Sequence, residues 1–219
     1  MILTKSNPTV SPGDPAPYFA LPAADGSGTV SLSSYRGKTP LFLALFVGLW
    51  CPFCRRALAQ LATTQPALKA SGVETLSVVA TRPANAQRYF KFRPTSLRVA
   101  ADPELTTHRD YGVPRPVPTP EFMKDLDVVR INPAGMFPEP LPISQANAAI
   151  AQLDGYAESE IDHADMERQW PQLKGQFLID PDGIVRWTNI ECAKEGLSGL
   201  GNFPSLDEIL TAAQVIPRR

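Results

Sequence analysis

The sequence predicts an α/β fold, and three observations support this class: one strongly apolar strand, helical periodicity beside it, and a globular composition. Residues 41–47, LFLALFV, are nearly all apolar, as expected of a central strand covered on both faces. Strand-like and helix-like segments then alternate up to residue 101, which indicates a parallel α/β core. The 219 residues are 43% hydrophobic and 20% charged, which is sufficient for one well-filled core.

The first half of the chain predicts regular elements on both sides of this strand. Residues 8–17 are rich in proline and glycine and predict an extended lead-in. Apolar side chains at helical spacing follow the strand, and Pro66 is expected to interrupt or end that helix. The other expected elements are a short strand over residues 18–21, a turn at 25–26, a strand over 73–80, a helix over 84–92 and a strand over 97–101.

Residues 114–171 break this alternation and are predicted to be an irregular, partly helical insertion in a single domain that spans residues 1–219. The insertion begins with PRPVPTP, which is too proline-dense for a helix or an interior strand. We expect it to lie beside the cysteine motif described below, as a cover or a partner-binding appendage. The other predicted elements are helices over 144–154, closed by Gly155, and over 158–170, a hairpin of residues 177–180 and 184–187, and a helix over 205–213 with Ser205 as N-cap.

Charge and hydropathy exclude several classes of partner. With 21 basic and 22 acidic residues the formal net charge is −1, so no global field attracts the protein to nucleic acid or anionic lipid. The longest apolar run, residues 41–50, is about half of the ~20 residues that a membrane helix needs. Residues 1–10 lack the charged start, apolar stretch and cleavage site of a signal peptide, so the cytoplasm is the expected compartment.

Cys51 and Cys54 carry the predicted chemistry. They are spaced C-x-x-C within WCPFC, where the buried strand gives way to a helix, and Pro52 suits the first helical position. Cys51 is therefore expected near the N-cap, where free backbone N–H groups and the helix dipole favour the thiolate and lower its pKa. Cys54 lies about one helical turn away on the same side, so its sulfur can attack a mixed disulfide formed at Cys51. The pair is predicted to cycle between dithiol and disulfide.

A structural zinc site is the competing interpretation of this spacing. Such a site normally needs four ligands, and the only other cysteine or histidine residues are His108, His163 and Cys192, none of them in a second paired spacing. No metal is therefore predicted, and both histidines are expected at the surface. Cys192 is expected to be a small core side chain, with an extra resolving thiol as the alternative. Trp50 and Phe53 are expected to form an apolar rim near the sulfur, through packing alone or as a partner-binding surface.

Three segments, GDPAPYF at residues 13–19, VSLSSYRGK at 30–38 and FLIDPDG at 177–183, resemble the redoxin group. This is the alkyl hydroperoxide reductase and thiol-specific antioxidant superfamily, which includes peroxiredoxins and thioredoxin-like disulfide reductases. The resemblance covers about residues 10–113 and 172–215. It implies a thioredoxin-like fold with a central mixed sheet flanked by helices, no bound cofactor, and a thioredoxin-, glutaredoxin- or glutathione-type thiol reductant.

The chain departs from both branches of that group near the cysteines. Peroxiredoxins usually carry threonine or serine three residues before the peroxidatic cysteine and proline four residues before that, whereas this chain has Gly48 and Ala44. Disulfide reductases of the WCxxC type usually carry a cis-proline three residues before the FLID-type strand, where this chain has Lys174. Peroxiredoxins often have arginine there, so Lys174 is expected to stabilise the thiolate as a cation.

Together these residues predict a thiol-dependent oxidoreductase that uses a Cys51/Cys54 dithiol–disulfide cycle, with thiol–disulfide exchange slightly favoured. Trp50, Pro52 and Lys174 are the predicted supporting residues. The first alternative is a peroxiredoxin-like thiol peroxidase that uses Cys51. The second is a non-catalytic redox-sensing or binding module whose cysteine pair switches a partner surface. The expected partners are a thiol reductant and a disulfide or peroxide substrate.

Overall fold

The computed structural model describes residues 7–216, and a five-stranded mixed sheet forms its centre. Residues 1–6, part of the segment compared with signal peptides, lie outside the described residues, as do 217–219. The central strands are β3 (Leu41–Phe46), β4 (Glu74–Val79), β5 (Val99–Ala101), β8 (Gly175–Ile179) and β9 (Val185–Ile190), and the peripheral pairs are β1 (Ala20–Pro22) with β2 (Thr29–Ser31) and β6 (Arg130–Ile131) with β7 (Leu141–Pro142).

The all-apolar strand β3 is the middle strand of the sheet, as its sequence predicted. The order is β5-β4-β3-β8-β9. Strand β4 pairs in parallel with β3 on one side and with β5 on the other. On the far side of β3, the β8–β9 hairpin pairs with β3 in antiparallel orientation. In this register Leu43 lies between Leu76 of β4 and Phe177 of β8. The mixed sheet flanked by helices confirms the predicted fold class.

Some helices flank the central sheet, and others belong to the inserted segment. None of the helices within residues 7–216 combines the length and apolarity needed to span a bilayer. The helices are α1 (Pro52–Ala70), α2 (Pro83–Phe92), α3 (Thr106–Asp110), α4 (Pro120–Val128), α5 (Ile143–Asp154), α6 (Glu160–Gln169) and α7 (Leu206–Ala213).

Helix α1 continues through Pro66, so the prediction that this proline interrupts or ends the helix is wrong. Leu61 and Leu68 lie on either side of Pro66 and are completely buried, so packing holds both halves of α1 against the sheet. Pro66 itself faces solvent. The backbone bond that a proline cannot donate is therefore lost at the exposed side, where water can satisfy the free carbonyl.

Two apolar cores lie on opposite faces of the sheet. Along β3, Phe42, Ala44 and Phe46 pack with α1 and α7, whereas Leu43 and Leu45 pack with the N-terminal segment and Tyr111. Every residue of β3 is buried because alternate side chains point to opposite faces and each face is covered. The carboxyl end of β3 leads directly into the cysteine motif at the start of α1.

Residues of the 114–171 segment lie beside the cysteine motif at that end of the sheet, the location expected for them. Ile131, Ala146 and Ile150 of the insertion form a third apolar cluster with Phe53 of the motif. Helix α5 ends at Gly155, whose φ of +55° is the expected left-handed C-cap. Helix α4 was not predicted, although Thr119 at its N-cap, followed at once by proline, is a typical helix start.

Candidate active site

Cys51 is the N-cap of α1, as predicted. Its backbone is extended (φ −74°, ψ 113°), Pro52 begins the helix, and the Cys54 N–H donates to the Cys51 sulfur at 3.4 Å. A turn closed by the Cys51 N–H and the Gly48 carbonyl (3.2 Å) connects the end of β3 to this cap. The sulfur therefore occupies the position where an N-cap side chain satisfies a free helical N–H and lies at the positive end of the helix dipole.

The two thiols, both free, have opposite tendencies to ionise. The hydrogen bond from the Cys54 side chain lowers the pKa of Cys51, with help from the Lys174 cation and the Cys54 N–H. Burial raises the pKa of Cys54 well above its usual value, and its bond to the Cys51 sulfur adds to that rise. Cys51 is partly exposed whereas Cys54 has no exposed surface. The arrangement places a partly exposed thiol with a lowered pKa beside a buried thiol with a raised pKa.

Lys174 lies at the cysteines and is held by Glu191. Its Nζ is 2.9 Å from Glu191 Oε1, and both side chains are almost completely buried. Backbone N–H groups also bind this carboxylate, from Gly201 to Oε1 (2.8 Å) and from Lys174 itself to Oε2 (3.0 Å). Burial opposes the ammonium form, but Glu191 and the two thiols together raise the pKa of Lys174. The cationic form of Lys174 is therefore favoured near the sulfurs; its supporting role stays a prediction, and Glu191 was not predicted.

Trp50 fills the space that a side chain on residue 48 would need. Its Nε1–H donates to Gln169 Oε1 at 2.8 Å, and the Gln169 amide donates in turn to the Ala80 carbonyl. A Cβ built on Gly48 would lie 2.4 Å from Trp50 Cδ1 and 2.5 Å from Gln169 Oε1. A threonine or serine at this position is therefore incompatible with the indole as it lies here. Gln169 is a further site residue that sequence reasoning missed.

Arg55, to which sequence analysis assigned no role, fixes the backbone in front of Cys51. Its Nη1 donates to the carbonyls of Leu49 and Trp50, at 2.9 Å each. Its Nε donates to Asp154 of the insertion at 3.3 Å, and its guanidinium lies 4.2 Å from the centre of the Tyr156 ring. The insertion is thus bound to the cysteine motif through one buried arginine.

Arg56 provides a matched control for this contact, since it binds the same Asp154 at 3.1 Å but has a 40% exposed side chain, against 4% for Arg55. We expect Arg55→Gln to lower the free energy of unfolding by about 1–3 kcal/mol, because two carbonyls lose their buried donor. Arg56→Gln should cost about 0–1 kcal/mol, as for an exposed ion pair. Urea unfolding of both variants measures the difference, and equal losses would contradict the assignment.

A cavity of about 390 Å³ opens beside the cysteines. Its lining includes Cys51, Cys54 and Lys174 together with apolar side chains that the insertion contributes. Pro171 also lines the cavity, and its peptide bond to Trp170 is cis. This cis-proline lies three residues before Lys174, the position at which disulfide reductases of the WCxxC type usually carry one. The insertion-derived lining residues are Phe122, Leu126, Asp127, Pro142, Ile143, Ser144, Asn147, Met166, Trp170 and Pro171.

The remaining cysteine and histidines lie apart from this cavity lining. Burial, and after it the Glu191 charge, raises the pKa of Cys192 to about 12, and a role for it as an extra thiol stays a prediction. His108 has no exposed surface, so its predicted surface position is wrong, and burial lowers its pKa to about 4. His163 is exposed, as predicted, 3.2 Å from Glu158. Within residues 7–216 no three potential metal-binding side chains of Cys, His, Asp or Glu form a cluster.

Solved structures of low sequence identity share this fold. A peroxiredoxin-like protein from Aquifex aeolicus is 14% identical over 97% of this chain and 91% of its own, with a TM-score of 0.59. Peroxidoxin BcpB from Mycobacterium tuberculosis is 14% identical (95% and 99% covered, TM-score 0.58). A putative thiol:disulfide interchange protein DsbE from Chlorobium tepidum is 21% identical (94% and 99% covered, TM-score 0.50). These likenesses support the thioredoxin-like fold.

Sequence comparison identifies the family. The comparison with curated proteins found no match. The AhpC/TSA family model, however, matches residues 12–188, a range that contains both cysteines of the motif and Lys174. Because this match covers most of the chain, and because the fold and the free thiol pair agree with it, the protein belongs to the AhpC/TSA family of thiol-dependent redox proteins.

Proposed function

We propose that the protein is a thiol–disulfide oxidoreductase that works through a Cys51/Cys54 dithiol–disulfide cycle. One observation carries the proposal: at the start of α1 the Cys54 backbone N–H donates to the Cys51 sulfur, and the adjacent Cys54 side chain lowers the pKa of Cys51. The thiolate form of the partly exposed Cys51 is thereby favoured, and the second thiol lies three residues further along the same helix. This is the arrangement that thiol–disulfide exchange requires.

The cycle balances without a bound cofactor. The Cys51 thiolate attacks one sulfur of a disulfide substrate, whose S–S bond breaks, and the first half leaves as a thiolate that takes up a proton. Cys54 then loses its proton and attacks the Cys51 sulfur of the mixed disulfide, which releases the second half as a thiol. The substrate has gained two electrons and the protein holds a Cys51–Cys54 disulfide. A thioredoxin-, glutaredoxin- or glutathione-type reductant restores the dithiol.

The surroundings of Cys51 support exchange over peroxide reduction. Peroxiredoxins use a hydroxyl three residues before the cysteine, and here Gly48 has no side chain and the Trp50 indole fills the adjoining space. Lys174 supplies a positive charge to the developing thiolates, which lowers the energy of either leaving group. Pro52 fixes the first turn, so that the free N–H groups at the start of α1 point toward the sulfur.

Thiol peroxidase activity is the second candidate, and one observation favours it. Lys174 is a buried cation beside Cys51, where peroxiredoxins often carry arginine. A cation there can assist cleavage of an O–O bond as well as an S–S bond. The family match covers both chemistries. The non-catalytic module remains the third reading, in which the pair oxidises once and does not turn over.

Stopped-flow measurements on the reduced protein test the proposal. We expect the rate constant with a protein or peptide disulfide to exceed that with hydrogen peroxide, with tryptophan fluorescence following the oxidation beside Trp50. Turnover with excess thioredoxin-type reductant should then be sustained. A faster reaction with hydrogen peroxide would favour the peroxidase, and oxidation without turnover would favour the sensing module.

A further inference from the structure

We infer that the cavity beside Cys51 selects peptide disulfides that carry a bulky apolar residue next to the cysteine and discriminates against anionic disulfides such as glutathione disulfide. The inference rests on the proposed exchange function and names its substrate class. The apolar side chain enters the cavity while the neighbouring disulfide meets the Cys51 sulfur. Electron flow is that of the cycle above, and the peptide disulfide is reduced to two peptide thiols.

The size and lining of the cavity set the apolar requirement. Its volume of about 390 Å³ is near the lower end of the range for sites that enclose small ligands. Phe122 and Trp170, whose ring centroids are 6.5 Å apart, contribute aromatic surface, and Met166 adds a flexible apolar side chain. Trp170 and Met166 are each more than a third exposed, so apolar surface continues to the mouth. A large aliphatic or aromatic side chain fits such walls.

The charges of the lining disfavour an anionic substrate. Of the lining residues, all of which belong to the described part of the chain, three carry charge: Asp127, Lys174 and Glu191. Lys174 and Glu191 form an ion pair, so their charges cancel, although the Lys174 Nζ has no hydrogen-bond partner within residues 7–216. Asp127 is exposed and adds negative potential. Glutathione disulfide has more carboxylates than ammonium groups, and the cavity lining, with two acidic residues and one basic residue, repels this excess of negative charge.

Asn147 gives the reason for choosing a peptide over a hydrocarbon. Its side chain lines the cavity, and its Oδ1 is buried without a hydrogen-bond partner among residues 7–216. A buried carbonyl oxygen normally has a donor, and the loss of one costs about 1–3 kcal/mol. A backbone N–H of a bound peptide supplies such a donor, whereas an alkyl chain does not. The cavity thus offers apolar walls together with one acceptor.

Three capped tripeptides, each with a central cysteine and oxidised to its symmetric disulfide, test the inference. They carry leucine, serine or glutamate on both sides of the cysteine, so the S–S chemistry is held nearly constant. Stopped-flow rates with the reduced protein should be about tenfold or more higher for the leucine disulfide than for the serine disulfide, the range that pocket contacts of this size provide. The glutamate disulfide and glutathione disulfide should be slower still.

Variants assign the preference to the cavity. Trp170→Ala should reduce the leucine-over-serine ratio severalfold, and Asp127→Asn should accelerate the glutamate disulfide. Phe92→Ala removes an aromatic side chain that is 72% exposed and does not line this cavity, so it should leave every ratio unchanged. Equal wild-type rates for leucine and serine disulfides would overturn the inference even if Trp170→Ala failed to fold. If each disulfide reacted with the protein no faster than with a small free thiol in solution, the proposed function itself would fail.

Discussion

Replacement of Cys51 by serine is expected to lower the rate of disulfide reduction by about a thousandfold or more, as for the loss of an enzyme nucleophile. Cys51 is the partly exposed sulfur, whereas Cys54 is completely buried. The pKa directions agree, since that of Cys51 is lowered and that of Cys54 is raised. In Cys51→Ser the remaining thiol of the pair, Cys54, is buried and has a raised pKa, so it should not attack a substrate.

The complementary variant, Cys54→Ser, should attack a disulfide once and then stop. A serine hydroxyl can still donate to the Cys51 sulfur and keep the thiolate, so the first step should change only a few fold. The hydroxyl cannot, however, attack the mixed disulfide and release the substrate. Intact-protein mass spectrometry should therefore show a substrate adduct that accumulates on Cys54→Ser and is absent from Cys51→Ser.

The double variant Cys54→Ser/Cys192→Ser serves as the control for a third thiol. Cys192 does not line the cavity and its pKa is about 12, so the adduct should be equally stable in the single and double variants. Sustained turnover by Cys54→Ser that disappears in the double variant would instead assign the resolving step to Cys192. If Cys51→Ser formed an adduct on Cys54 as fast as Cys54→Ser forms one on Cys51, the assigned order of the two thiols would be wrong.

The fold was predictable because its signals are local. An all-apolar β3, the strand-to-helix change at WCPFC and the Ser205 cap each depend on neighbouring residues, and the structure contains all three. The two wrong predictions, for Pro66 and His108, arose from tertiary packing. Pro66 is tolerated because the buried leucines around it hold α1 in place. His108 is buried together with Leu105 and Tyr111, the residues that flank α3, a spacing visible in the sequence but hidden among charged neighbours.

The site was only half predictable, and a β-bulge explains why Glu191 was missed. Ile179 pairs with Val185, and continuing that register would place Lys174 opposite Ile190. The bulge between Leu178 and Ile179 shifts the pairing by one residue, so Gly175 pairs with Ile190 and Glu191 follows opposite Lys174. Arg55 and Gln169 were missed for another reason: the contacts of Arg55 with Asp154 and of Gln169 with Trp50 join residues that are 99 and 119 positions apart in the chain.

The second large effect is expected at the buried Lys174–Glu191 pair, where the two single variants should move the reactivity of Cys51 in opposite directions. The reaction rate of Cys51 rises with pH through its pKa, because the thiolate is the reacting form. Lys174 lowers that pKa and Glu191 raises it. Lys174→Met should therefore shift the half-rise to higher pH, and Glu191→Gln should shift it to lower pH. Alkylation by iodoacetamide as a function of pH measures both shifts.

The free energy of unfolding of these variants should respond differently from the pH profile of Cys51. Measuring both separates an effect of charge on the sulfur from an effect on folding. Each single variant leaves one buried charge without its partner, at a cost of about 3–5 kcal/mol in the free energy of unfolding. Glu191→Gln also gives up one oxygen that accepts a backbone N–H. The double variant Lys174→Met/Glu191→Gln removes both charges, so it should lose less than the sum of the single losses. Urea unfolding of the three variants gives this comparison.

An exposed ion pair supplies the control for both measurements. Arg98 and Asp25 are 3.3 Å apart with side chains that are 42% and 58% exposed, and Arg98→Met should cost about 0–1 kcal/mol and leave the pH profile of Cys51 unchanged. If Lys174→Met and Glu191→Gln shifted that profile in the same direction, the effect would come from a loosened site rather than from charge. Opposite shifts with similar losses of stability are explained only by the electrostatic coupling of this pair to the Cys51 sulfur.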